Sequence, residues 1–371
     1  MKNKRNKIGI IIMLVACLLM LFGCSGGEQG VQGDNKQEAG IENGTMPTIT
    51  VGRPGLDIKI ACIIVASEMG YYEDEGVNVE FKQISNLADG MTAVTQNKLD
   101  VLPFGVIPSA TFIAQGADAV VFAGTISEGS EAICLPENAD KYKEPADFQG
   151  TKIGCYRMET GHMVMKGLLR EAGLDVNGGD VEFIYLDSMA SIAEAVKKGD
   201  VDLGFINSGY GYIAKKNGLE VAFKVADFNP DFPCCRQTTN SKALVEKRDG
   251  LVKFMIANLR GYQTLMTDKE TSIAALASYS GQDADYVENV IYGTADYEAA
   301  MKISLDPNKN KVCEFYEIMK ANGDIGANTQ YQMEDHLDTS IYEDALNEML
   351  KREPDNAMFK QLLEEFKVNN L

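Results

Sequence analysis

The chain has no tryptophan and only two histidines in 371 residues, and its 35 basic residues are outnumbered by 54 acidic ones. A net charge of −19 without clustered Lys or Arg excludes nucleic acid as a partner, because neutralising phosphates takes a basic patch. Beyond the N-terminus no apolar run approaches bilayer length, which excludes a multi-span membrane protein. With 45% hydrophobic residues and ten prolines the chain is neither disordered nor a collagen-like fibre. Catalytic signatures are also missing. His162 and His336 have no nucleophile partner in the sequence, and no phosphate-binding loop, dinucleotide fingerprint or paired-carboxylate arrangement can be assigned. Cys62, Cys134, Cys155, Cys234, Cys235 and Cys313 are scattered and form no zinc template. The expectation is a non-enzyme without cofactor or metal. At roughly 150 residues per domain, two globular units are expected.

What is present begins with an N-terminal segment to be set aside. Lys2, Lys4, Arg5 and Lys7 precede an apolar stretch from Ile8 to Phe22, and Gly23-Cys24 is followed by the polar Ser25-Gly26-Gly27-Glu28. The order resembles a bacterial lipobox, so residues 1–23 are expected to be a lipoprotein signal peptide and Cys24 the lipidated residue. Residues 24–46 are rich in Gly, Gln, Glu and Asn and read as a flexible tether with a reach of roughly 25 Å. The body is then expected at the extracytoplasmic face of the cell membrane, lipid-anchored.

From Thr48 onward short apolar runs alternate with helical periods, the pattern of an α/β fold. Ile49–Val51, Val77–Phe81, Val101–Phe104 and Ala119–Phe122 read as strands, and Ile60–Met69 as a helix stopped at Gly70. Leu87, Met91 and Val94 have the spacing of a buried helix face. An offset of 102 residues brings Gly52 onto Gly154, Val79-Glu80-Phe81 onto Val181-Glu182-Phe183, Ala93-Val94 onto Ala195-Val196 and Asp100 onto Asp202. One register implies two similar lobes. Ligands of open α/β sheets bind beyond the carboxyl ends of strands, so the aligned loops 53–58, 155–160, 104–108 and 206–210 should line a cleft. The chain is expected to divide into lobe 1 (47–135 and 236–371) and lobe 2 (136–235), with hinged connections, and residues from Ser241 onward completing lobe 1 and covering its back.

The segment from Ala61 to Val77, ACIIVASEMGYYEDEGV, resembles the signature of bacterial solute-binding proteins of the nitrate, sulfonate and taurine type, which include thiamine-pyrimidine binders. Leu99-Asp100-Val101, Ala114 to Asp118, Asp147 to Gly154 and Gly199 to Asp202 follow in that family's order. The resemblance implies a type II, two-lobed periplasmic-binding-protein fold with an interlobe cleft. It also implies a monomeric receptor that delivers a small-molecule ligand to an ABC permease and its ATPase. A sulfonate- or taurine-like anion or zwitterion is the expected ligand. The alternatives are a thiamine-pyrimidine-like or other aromatic heterocycle, or a thiamine-pyrimidine-synthase-like enzyme.

Candidate contacts follow from the loops. Arg157 and the helix start at Thr160 could hold an anion, and Glu159 the amine of a zwitterion. Arg157 could equally be a surface base paired with Glu159. Arg53 and Leu56 lie in the first loop, Arg53 as a ligand or a rim charge. Phe104, Val106 and Tyr210 offer apolar and aromatic wall, with Phe104 also a core candidate. Asn207 is a contact candidate, and Ser208 an N-cap that could border the pocket. The resemblance places Cys235, with Arg236, beside the ligand. The adjacent Cys234 and Cys235 could form a disulfide, bind a soft metal or pack.

Overall fold

The computed structural model describes residues 46–371 except Met158. The expected signal peptide, the lipidation candidate Cys24 and tether residues 25–45 lie outside the described residues.

In β1 (Thr48–Arg53), Ile49 and Val51 are fully buried while Thr48 and Thr50 are half-buried, the alternation of a strand covered mainly on one face. It pairs in parallel with β2 (Asn78–Gln83). The expected strand at Val101–Phe104 shrinks to two bridging residues: Val101 joins Val51, and Leu102 joins Thr238. Gly105, at φ +54°, then turns the chain into the helix Val106–Ala114. The nine-residue β3 (Val120–Glu128), buried at all but its last residue, is the centre of a three-stranded sheet that the Leu102–Thr238 bridge links to β1–β2, together called the first sheet below. The chain then passes to a second sheet, formed by β4 (Ser130–Cys134), β5 (Lys152–Cys155), β6 (Glu182–Tyr185), β7 (Leu203–Asn207) and β8 (Glu220–Lys224) in the order β6-β5-β7-β4-β8. It returns as β9 (Pro233–Thr239), antiparallel to β3, and adds β10 (Met301–Ile303) on the far side of β3.

The pairing therefore places 130–134 with the second sheet and 233–235 with the first, so the passages fall earlier than the boundaries at 135 and 235. Both passages bend sharply. Glu128 has φ +63° and Gly129 +82° at the first, and Asp231 has +60° at the second. They are bonded side by side: Glu128 Oε1 accepts from the Asp231 amide at 3.1 Å, and the Glu128 amide donates to Phe232 O at 2.8 Å.

The 102-residue offset holds at the level of single hydrogen bonds. Val51 faces Phe81 across β1–β2, and Ile153 faces Phe183 across β5–β6. The Asp100 carboxylate accepts from the Thr50 amide at 2.8 Å, and Asp202 accepts from the Lys152 amide at 2.8 Å. Asn86 caps the helix Leu87–Thr95 through the Asp89 amide, as Ser188 caps Met189–Lys198 through that of Ser191. The match thus reflects two copies of one βαβ arrangement.

The helix Ala61–Glu68, reached through the 3-10 turn Ile58–Ile60 and closed by left-handed Gly70, is buried from Ala61 to Ala66. The helix Arg248–Thr267 crosses it so closely that a Cβ on Gly261 would strike the Cys62 carbonyl oxygen. The later helices do not serve the first sheet alone. Lys309–Asn322 also packs on Thr160–Glu171, where Asn322 accepts from Arg170 and donates to Met163 O. The chain ends in two helices, Ser340–Arg352 and Ala357–Asn370, because Pro354 cannot continue the first.

Candidate ligand-binding cleft

All four aligned loops meet at one cleft of about 390 Å³. The first contributes Pro54 and Asp57, and its partner across the repeat Tyr156 and Thr160. Phe104 and Gly105 come from the third loop and Asn207 from the fourth. The cap of the helix Leu87–Thr95 adds Asn86 and Leu87. Loops at the carboxyl ends of β1, β5 and β7 thus converge, as open α/β sheets require.

The electrostatic centre is Lys59, in the 3-10 turn after β1. Its ammonium lines the cleft, and among the described residues its charged partner is Asp57, at a loose 3.6 Å. Burial works to lower its pKa. The charge of Asp57, with contributions from Cys235 and Cys234, outweighs that and holds it above the ordinary lysine value. The Asp57 carboxylate also caps the turn, Oδ1 accepting from the Lys59 amide at 2.8 Å. A second chamber of about 160 Å³ shares Asp57 and Lys59, and there the structure places Leu56, Ser208 and Tyr210.

Cys234 and Cys235 both line the cleft although neighbours in a strand ordinarily face opposite sides. The cause is a bulge: Pro233 pairs with Ser127 and Cys235 with Ile126, leaving Cys234 as the extra residue. The two are free thiols with sulfurs 3.9 Å apart. The bond between the two thiols holds Cys235 below its ordinary range, with Lys59 and the Gly105 amide acting in the same direction against burial. Cys234, its partner in that bond, is pushed up.

Of the expected contacts, the cleft brings together Phe104, Thr160, Asn207 and Cys235. Arg53 instead lies between the rings of Phe81 and Tyr279, 5.5 Å from each. Val106 is fully buried in the core. Arg157 is exposed and stacks on Tyr185 at 4.3 Å, outside the cleft lining. Glu159 turns inward to cap its own helix, accepting from the Gly161 and His162 amides at 2.7 and 2.8 Å, so neither that carboxylate nor that helix start is open to a ligand. Ser208 is not the expected cap: Gly209 occupies the N-cap position, and the buried Ser208 hydroxyl has no partner among the described residues. Arg236 is fully buried and donates to Pro307 O, Ile126 O, Cys235 O and Ser127 Oγ, a bolt within the first lobe's core. Neither histidine lines the cleft; His162 is buried against Glu159, and His336 bonds Ala119 O.

Sequence reasoning missed Asp57, Lys59, Asn86 and Tyr156. The available signal was position, since Asp57 lies inside the first aligned loop and Lys59 one residue past it.

Residues 57–272 match the family described as NMT1/THI5 like, and the chain belongs to it. A "putative binding protein" of Brucella abortus is 26% identical over 229 residues, 60% of this chain and 69% of that one. Among solved structures, the aliphatic sulphonate binding protein SsuA of Escherichia coli superposes with a TM-score of 0.61 at 17% identity, over 78% of this chain and 91% of that one. The nitrate-binding protein NrtA of Synechocystis gives 0.65 at 14% identity, over 82% and 89%. These likenesses show the two-lobed periplasmic-binding-protein fold.

Proposed function

We propose that this member of the NMT1/THI5-like family is the extracytoplasmic solute-binding component of an ABC importer. It captures a small organic anion or zwitterion between its lobes, releases it unchanged to a permease, and works as a monomer held at the membrane by a lipid on Cys24. The observation that carries the reading is Lys59, a cation lining the cleft whose charged partner among the described residues, Asp57, is loosely placed. A ligand acid group can take the ammonium at closer range than 3.6 Å, a charge-assisted contact sheltered from water. Asp57 beside it disfavours a bare anion and suits a ligand that also carries an amine. That the similar SsuA and NrtA bind sulphonate and nitrate supports an anionic ligand for this chain.

A second ligand class, an aromatic heterocycle, is favoured by Tyr156 and Phe104 with the amides of Asn86 and Asn207 in the same cleft.

Thermal shifts of the protein lacking residues 1–24 against taurine, ethanesulfonate, nitrate and aminopyrimidines test both. A ligand at 100 times its Kd adds about 2.7 kcal/mol of stability. Lys59→Met is expected to abolish the sulfonate shift, and Arg157→Ala to leave most of it. A full sulfonate shift in Lys59→Met would remove the anion reading, and a shift with aminopyrimidines alone would install the heterocycle. Chemical conversion of the bound compound without a permease would replace binding by catalysis.

A further inference from the structure

The loop Asn207-Ser208-Gly209-Tyr210 borders both chambers, and it is held from behind by a buried polar network outside the cleft lining. Glu131, in β4 and fully buried, accepts from the Tyr297 hydroxyl at 2.6 Å through Oε1 and from the Gly211 amide at 3.2 Å through Oε2. Gly211 has to be glycine, because a Cβ there would overlap the Glu131 carboxylate. Tyr297 itself belongs to the segment leading into β10, so the network joins an arm of the first sheet to the cleft-side loop of the second.

We propose that Glu131 and Tyr297 are positioning residues for the ligand cleft: together they clamp the loop 207–211 in its binding geometry, and protonation of Glu131 releases the clamp. The inference rests on the solute-binding reading above. The Gly211 amide and the Tyr297 phenol each need an acceptor, and a carboxylate offers two. A neutral acid offers one good acceptor oxygen and brings a donor of its own, so one of the two donors loses its acceptor and the clamp its second point of hold.

Burial pushes the Glu131 carboxyl up to about 7, against the bonds from Tyr297 and Gly211 and the charges of Lys224 and Lys215, which lower it. The neighbours facing it are accounted for on each element. Lys224 on β8 is paired with Glu298 at 2.6 Å, and Lys215 on the helix Tyr210–Lys216 with Glu220 at 2.9 Å. Asp227 and Asp296 line the adjoining pocket, while Tyr212 stacks on Tyr297 and Tyr286.

The clamp is therefore complete above pH 7 and open below it. Global stability has the opposite sign: a carboxyl raised from 4.5 to about 7 by folding favours the folded state at acid pH and loses that contribution as pH rises through 7.

The test is the Kd for taurine or ethanesulfonate between pH 5.5 and 8. Wild type is expected to bind about tenfold more weakly at pH 5.5 than at pH 8. Glu131→Gln should be flat at the weak level, and Tyr297→Phe should weaken binding and move the midpoint upward. A flat wild-type profile, or wild-type affinity in folded Glu131→Gln, overturns the clamp. Should no sulfonate bind at any pH, the anion reading fails separately. Hydrogen exchange at the Gly211 amide then decides: the clamp requires protection that falls below pH 7 in wild type and is pH-independent in Glu131→Gln, and unchanged wild-type protection refutes it.

Discussion

At the scale of single residues, placement overrides residue type. Arg157 and Lys59 are both bases just past a strand of the repeated unit, and the arginine, with its planar fork, is the more persuasive anion ligand on paper. In the fold Arg157 lies out on the Tyr185 ring, while Lys59 is drawn under the cleft by its own 3-10 turn. Its neighbour Cys235 supports a chemical prediction. Iodoacetamide at pH 7 should alkylate Cys235 well before Cys62, Cys134 and Cys155, whose burial pushes their thiols up. Peptide mapping of timed samples reads the order. Lys59→Met should slow the Cys235 reaction, and saturating ligand should block it; reaction at Cys62 first would show that the cleft thiol is not activated. The cysteines also show where sequence reading stops. A CC pair allows disulfide, metal or packing, and only the bulge, a register event between two distant strands, turns both sulfurs to one side.

Elements were more legible than side chains. The strands expected at Ile49, Val77 and Ala119 each start within one residue of expectation, because short apolar runs mark where a strand enters the core, although the third runs on to Glu128, six residues beyond the expected end. Val101–Phe104 fell short because an apolar run does not reveal that Gly105 turns the chain after two bridging residues. The four-loop cleft was legible for the same reason as the repeat, since a shared register fixes which loops correspond. The direction of Glu159 and the later helices' contact with the second lobe depend on tertiary packing that no local spacing encodes. Helix contact at Gly261 gives the prediction at this scale. Gly261→Ala should force Arg248–Thr267 away from Ala61–Glu68 and cost about 1–3 kcal/mol, despite alanine's better helix propensity. Urea denaturation measures it, and a neutral or stabilising result would mean that the two backbones do not touch as described.

For the whole molecule, ligand capture by two lobes should contract the particle. Small-angle scattering with saturating sulfonate is expected to give a smaller radius of gyration in wild type and no change in Lys59→Met. The paired passages at Glu128–Gly129 and Asp231–Phe232 determine how such a contraction can proceed. Two ribbons tied to each other by the Glu128–Asp231 and Glu128–Phe232 bonds form a spine, and the Asn322 bonds to Arg170 and Met163 O join the halves again beside it, so the halves are expected to swing about that side like the covers of a book. Spin labels placed on either side of the spine should keep one separation whether the solute is present or not, while a pair on the opposite fore-edge should draw together. Under the proposed solute-binding function, that far edge is the doorway, and a receiving permease is expected to meet the molecule there.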